Sequence, residues 1–566
     1  MRRKLRAGAL LVGIGLIAAA VVGACSSLPH PFDKPHGAAA DPLTQALREK
    51  VKTIVVIYAE NRAFDNLYGN FPGANGLSGV VDAAGRPLAA YLPQLDRDGT
   101  PLPKLPQTWG GVTEPGYKPV VTQAQSAGLP NAPFSIETAF TAQSKTTLSA
   151  STVTRDLVHR FFENQMQIDG GRNDQFAAWS DAGGLTMGHY DNSRSALYAL
   201  ARQYVLADRF FQGAFGGSFL NHQYLICACA PEYPGADTAP AKPAIAALES
   251  GPDGQPLPRL KLAKNSPPSA LEGAPRFVNS GNLAPAGYFG DGKFHAVNTM
   301  QPAYQPSGNA PARTDRSARY ADPGNATTLP PQGGPTIGDR LTAKNVAWVW
   351  YAGAWNAAIA DAPVPLKQRH AIYEPSTPGG NPDFQPHHQP FNYYARFDPQ
   401  AHPEERAEHL KDYDDLLADA AAGRLPPVVF YKPQGNLNQH PGYADLAEGD
   451  RHIADLVAKL AAGPQWNNMV IVITYDEFGG AWDHAAPPKG DLLGPGTRIP
   501  AIVVSPFAKK GTVDHTQYDT GSILRLITRR FDLEALPGIQ QRDRGLAQHA
   551  EFPMGDLTNA LDLANH

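Results

Sequence analysis

Cysteine is almost absent from this chain: three in 566 residues. One of them, Cys25, sits at the end of an N-terminal apolar stretch, and the others, Cys227 and Cys229, are one residue apart. So sparse a set excludes a disulfide framework, and the fold must rest on its core. A C-x-C spacing is awkward for a mutual bridge and weak as a metal site, so the pair is expected as buried thiols. An excess of one charge is missing too, with 49 Lys and Arg against 53 Asp and Glu. A balance this near neutral gives no basic footprint for nucleic acid. Glycine and proline, by contrast, are plentiful at 54 and 53 residues. That share is above the usual one but below a disordered composition, and it predicts long ordered loops.

The N-terminus carries Arg2, Arg3, Lys4 and Arg6, then an apolar stretch from Ala7 to Ala24, closing on Val22-Gly23-Ala24-Cys25. A basic head, a short apolar core and small residues before a cut site read as a secretory signal. The ending resembles a bacterial lipobox, in which Cys25 is lipidated and touches the membrane. An ordinary signal peptide and a retained anchor are the alternatives. All three place the body outside the cytoplasm: periplasmic, anchored in the outer membrane, or secreted. Residues 1–25 are thus expected as a signal, 26–50 as a tether and 51–566 as the body. Within the body, 231–340 is dense in Pro, Gly, Ala and Asn and reads as an insertion with short elements of its own.

Strand-like apolar runs occur at 54–61, 345–353, 428–432, 469–477 and 501–507, and helical spacing at 193–204, 404–421, 446–462 and 520–531. Strands alternating with helices predict an α/β fold with a mostly parallel, doubly wound sheet flanked by helices.

Two of those runs end in oxygen ligands. IVVIYAEN closes on Glu60 and Asn61, and MVIVITYDE closes on Asp476 and Glu477. Ligands in open α/β sheets bind beyond the carboxyl ends of the strands. These four side chains are therefore expected at one edge, where an oxygen-rich cluster suits a hard divalent cation. The bland reading is a pair of solvated strand ends. A third signal is GAFGGSFLNHQYLICACAP at 213–231, where Ser218 opens an apolar helix. A serine there meets free N–H groups and the helix dipole, which suits a nucleophile on a phosphorus or sulfur ester; an N-cap serine needs no catalysis. His159, His387, His388 and His440 add imidazoles that can bind phosphoryl oxygens or protonate a leaving group.

The segments IVVIYAENRAFDNLYGNFPGANGL, IDGGRNDQF, MGHYD, GGSFLNHQ, ITYDEFGGAWDHAAPP, RIPAIVVSPFAKKG and DHTQYDTGSILRLI follow one another in this chain. Together they resemble the bacterial phosphoesterase family of nonhaemolytic phospholipases C and secreted acid phosphatases, over about residues 51–562. The resemblance implies the core of the alkaline phosphatase and arylsulfatase superfamily. It implies one divalent cation among Glu60, Asn61, Asp476 and Glu477, and Ser218 as a nucleophile that also touches the cation. His159, His387, His388 and His440 would line the phosphate site, with His388 a candidate acid for the leaving alcohol. Protonated histidines would suit an acidic optimum. DNLYGNFPGANG after the Glu-Asn pair, and Ser rather than Thr at 218, are similar to acid phosphatases of the respiratory-burst-inhibiting type. That branch implies hydrolysis of small phosphomonoesters through a phosphoserine. A phospholipase C acting on a phospholipid head group, and a non-catalytic lipoprotein that binds phosphate esters, are the alternatives. Gln165 departs from the His often found there in phospholipases.

Overall fold

Val- and Ile-rich runs build the centre of the molecule, because β-branched side chains pack well on a pleated surface covered on both faces. The computed structural model describes residues 41–373 and 383–565. The signal segment, Cys25 and most of the expected tether lie outside the described residues. Residues 46–566 form one compact unit; of the unit 1–45, only 41–45 are described. At the end of the expected tether Pro42–Lys50 is a helix, with Leu47 buried.

The main sheet has eight strands: β1 (Thr53–Ala59), β2 (Val205–Ala207), β3 (Trp348–Ala352), β4 (Leu410–Asp412), β5 (Val428–Lys432), β6 (Met469–Tyr475), β7 (Ala501–Val504) and β8 (Thr512–Asp514). Their order is β4-β3-β5-β1-β6-β7-β2-β8. The five strands from β4 to β6 are parallel, β7 runs antiparallel to both of its neighbours, and β8 is parallel to β2. The sheet is thus mostly parallel, as expected. Every residue of β1, β5 and β6 is buried, so their carboxyl ends open side by side on one edge.

Helices flank the sheet: Leu446–Ala462 packs on Ala196–Gln203, and Thr520–Phe531 packs on Ser218–Cys227. The helix expected over 404–421 is two helices, Pro403–His409 and Tyr413–Ala421, with β4 between them. Leu410 joins Trp350 at the sheet edge, and Asp412 caps the second helix in a reciprocal box with Asp415, so pairing and capping override helical spacing. The 231–340 segment does hold short elements, the hairpins Leu248–Ser250 with Pro256–Leu260 and Leu283–Ala284 with His295–Ala296. The expected buried thiols are instead a bridge: Cys227 and Cys229 are bonded, with Cα atoms 5.1 Å apart. Ala228, with φ 51°, ends its helix in the left-handed region. That turn folds Cys229 back on Cys227 and brings the Cα atoms into bonding range.

Candidate active site

Glu60 and Asn61 leave β1, and Asp476 and Glu477 leave β6, its neighbour in the sheet. Asp476 joins the two ends: its Oδ1 accepts from the backbone N–H of Asn61 (3.1 Å) and of Glu477 (2.8 Å). Asn61 holds φ 63°, a strained angle for a non-glycine residue and the kind of outlier found at functional sites. Glu477 Oε2 accepts from Gly479 N–H at 2.6 Å. Only glycine serves at 479, because φ is +62° and a Cβ would fall 2.3 Å from the Asn61 carbonyl.

Ser218 opens its helix at N1 rather than at the N-cap, which is Gly217. Its side chain makes no capping bond. The hydroxyl lies 3.2 Å from both Asn61 Oδ1 and Glu477 Oε1 and donates to one at a time. Gly216 lets the backbone approach Phe161, where a Cβ would sit 2.4 Å from its nitrogen. The nucleophile candidate therefore lies beside Asn61 of the first strand end and Glu477 of the second.

The four histidines join them. His388 Nε2 donates to Glu60 Oε1 at 2.9 Å, and His387 Nε2 lies 4.0 Å from the same oxygen. His159 Nδ1 donates to the Leu157 carbonyl at 2.6 Å, leaving Nε2 towards Asn61 Nδ2 (3.5 Å) and Glu477 Oε1 (3.7 Å). The His440 ring stacks on Tyr443 and meets His159 edge-on. A cleft of about 230 Å³ opens over Ser218, lined by His159, His387 and His440 together with Asp156, Arg160 and Asn298. His388 faces Glu60 behind it. The larger cavity, about 560 Å³ between residues 317–319, 355–363 and 399–415, touches none of these groups. Gln165 lies apart from the acids, its Oε1 accepting from Tyr288 OH at 2.9 Å.

Burial governs the electrostatics. It raises Asp476 to about 7 against the pull of Lys432, and burial plus Asp476 push Glu477 well above the carboxylate range. For Glu60 burial acts the same way, but His388, Lys432 and His440 outweigh it and hold the acid well below that range. Burial lowers His159, His387, His388 and His440 alike. Desolvation thus favours neutral rings, against the protonated imidazoles expected, and Glu60 pulls the other way.

A cation fits this donor set. Asp476 Oδ2 is buried with no hydrogen-bond partner, Asn61 Oδ1 and Glu477 Oε1 flank the Ser218 hydroxyl, and Glu60 converges with His387 and His388 in a group of ligating side chains. Other acid and imidazole groups gather at Asp156, His159 and His440, and at Asp65, Asp483 and His484. The last already holds a cation, the buried Arg498, with Nε 2.9 Å from Asp483 Oδ1 and Nη2 3.0 Å from Asp65 Oδ1.

Sequence reasoning missed Lys432, His222 and Asn438. Lys432 Nζ lies 3.2 Å from Glu60 Oε2. His222, one turn after Ser218, bonds the Ser218 carbonyl through Nδ1 at 2.8 Å and lies 3.6 Å from Asp476 Oδ2. Asn438 donates to Glu60 Oε2. The signal for Lys432 was its place as the last residue of the apolar run VVFYK; for His222 it was the i+4 spacing from Ser218.

A mostly parallel sheet with acids at its carboxyl edge and a serine at a facing helix start defines an α/β fold with its polar site at that edge. Residues 51–534 match the model of the Phosphoesterase family, and the chain belongs to that family. It is 31% identical over 160 residues to a non-specific phospholipase C6 of Arabidopsis thaliana, covering 22% of this chain and 30% of that one. It is 28% identical over 184 residues to a non-hemolytic phospholipase C of Pseudomonas aeruginosa, covering 27% and 25%. The chain therefore spans under a third of the length of these relatives. The solved lipoteichoic acid synthase LtaP of Listeria monocytogenes is 8% identical, with a TM-score of 0.27, over 71% of this chain and 74% of that one.

Proposed function

We propose that the protein hydrolyses phosphate esters with a divalent cation, and that its substrates are phosphomonoesters cleaved through a phosphoserine on Ser218. The observation that carries this reading is the Ser218 hydroxyl, uncapped, 3.2 Å from both Asn61 Oδ1 and Glu477 Oε1 at the floor of a cleft. A cation held by Glu60, Asn61, Asp476 and Glu477 with Ser218 supplies Lewis acidity that eases loss of the serine proton and offsets phosphoryl charge. Glu477 Oε1, 3.2 Å from the hydroxyl, is placed to receive that proton when ionised. Ser218 Oγ attacks phosphorus, the ester oxygen departs, and water later releases phosphate. Free N–H groups of the first turn of Ser218–Cys227 face the incoming anion. Because His388 is engaged by Glu60, protonation of the leaving alcohol falls to His159, His387 or His440, which line the cleft.

Monoester preference is supported by the cleft itself. It is small and largely polar, and among the described residues its aromatic lining is Phe219 and Tyr443 with the three imidazoles. That offers little apolar wall for acyl chains. The phospholipase C reading is favoured by the names of the relatives. Phosphate release from a chromogenic monoester and from a phosphocholine diester, side by side with added metal, tests the choice. Release from the monoester is the expected outcome, and preference for the diester moves the protein to the phospholipase branch. The basic head and the Val22-Gly23-Ala24-Cys25 ending support export and a lipid anchor on Cys25; metabolic labelling with a palmitate analogue and its loss in Cys25→Ala check this.

A further inference from the structure

Lys432 is the one buried lysine among the described residues, with no exposed surface. It is the last residue of β5, beside β1, which leads into Glu60. Its ammonium makes no hydrogen bond. It faces Glu60 Oε2 at 3.2 Å and Asp476 Oδ2 at 3.9 Å, and Asp476 Oδ2 is itself without a hydrogen-bond partner. On its other side the Tyr58 ring lies 5.8 Å away. A buried ammonium is expensive unless neighbouring charges compensate it, so this lysine belongs electrically to the acid cluster.

We propose that Lys432 is a resident counter-charge, a positioning residue that limits the cluster to one divalent cation and sets its preference for a divalent over a trivalent ion. The proposal rests on the reading of the cluster as a metal centre. Glu60, Asp476 and Glu477 carry three negative charges when all are ionised, and one ammonium leaves two, the charge of a single divalent ion. A second divalent ion, or a trivalent one, would leave uncompensated positive charge among these three carboxylates, which are fully buried; the half-exposed Asp156 of the cleft lies instead 3.6 Å from His159 Nδ1. The lysine cannot swing clear, because its backbone is fixed in the sheet, paired with Ala352 of β3.

The test uses the whole chain, stripped with a chelator and reloaded with Mn²⁺ or Tb³⁺ as probes. Mn²⁺ is followed by the bound-to-free ratio and Tb³⁺ by luminescence sensitised by nearby tyrosines. The wild type is expected to bind one Mn²⁺ per chain at the cluster. Lys432→Met is expected to raise the affinity ratio of Tb³⁺ to Mn²⁺ about tenfold or more, and Lys432→Arg, which keeps the charge, to leave it within about twofold. An unchanged ratio in a Lys432→Met chain that still binds one Mn²⁺ overturns the role of Lys432 and leaves the metal reading standing. If Lys432→Met does not fold, the wild type decides: two Mn²⁺ ions at the cluster, both lost in Asp476→Asn, overturn the proposal. A wild type that binds neither ion overturns the metal reading and the proposal together.

Discussion

Ser218 has two possible occupations at the head of its helix, capping or chemistry, and its rotamer separates them. The hydroxyl turns to Asn61 and Glu477 rather than to the backbone of its own first turn. Ser218→Ala is therefore expected to lower kcat by roughly a thousandfold or more and to shift the melting temperature by no more than about 3 °C. Retained turnover would remove the nucleophile assignment. Asp476 carries a second expectation. In the metal-free site burial raises it to about 7, so below that pH it holds a proton that a cation must displace. Metal affinity should fall as pH drops through 7, with protons released on binding. Calorimetry at pH 6 and pH 8 in buffers of different ionisation enthalpy reads that release; equal affinity at both would contradict it. The acids and histidines of the site were legible because strand ends and helix starts are marked in the sequence. Lys432 was not, since a lysine closing a strand ordinarily meets solvent, and only the sheet order shows that its neighbour is the strand ending in Glu60.

At the scale of elements, Arg498 ties the segment after β1 to the segment after β6 through Asp65 and Asp483, and its guanidinium lies 4.2 Å from the Phe64 ring centroid. Removing this cation leaves Asp483 without its ion pair and Asp65 with His484 Nδ1 at 2.6 Å. Arg498→Met should destabilise the protein by about 3–5 kcal/mol, measured by urea unfolding, and a loss below about 1 kcal/mol would show that the acids find other partners. Val428–Lys432, Leu446–Ala462 and Thr520–Phe531 coincide with the spans read from apolar runs and spacing. Over 404–421 the same logic gave way, because an edge strand of three residues carries too little pattern to be seen. The reversed direction of β7 was equally hidden: AIVVSPF looks the same whichever way it runs. The Cys227–Cys229 bridge depended on one left-handed alanine, which nothing in its neighbours announces.

On the scale of the molecule, the 231–340 segment is joined to the site by particular bonds. Asn298 Oδ1 accepts from Phe161 N–H at 3.0 Å, and Arg160 Nη2 donates to Asn282 Oδ1 at 3.0 Å. Both partners follow His159, so the insertion holds one wall of the cleft. Asn298→Leu should raise KM for a monoester several-fold with a stability loss of about 1–3 kcal/mol; an unchanged KM would mean the wall stands without it. The insertion was visible as composition, but its seat against His159 arises from contacts about 140 residues apart.

The antiparallel placement of β7 beside β6 means the chain leaves the catalytic edge at Tyr475 and re-enters the sheet from that same edge at Ala501. One uninterrupted stretch of polypeptide therefore delivers Asp476, Glu477, Asp483, His484 and Arg498 without crossing the molecule. Two acids of the site travel as a cassette: residues 476–500 form an exchangeable unit between two fixed strands, and a transplant between relatives would carry Asp476 and Glu477 together with the Asp483–Arg498 pair.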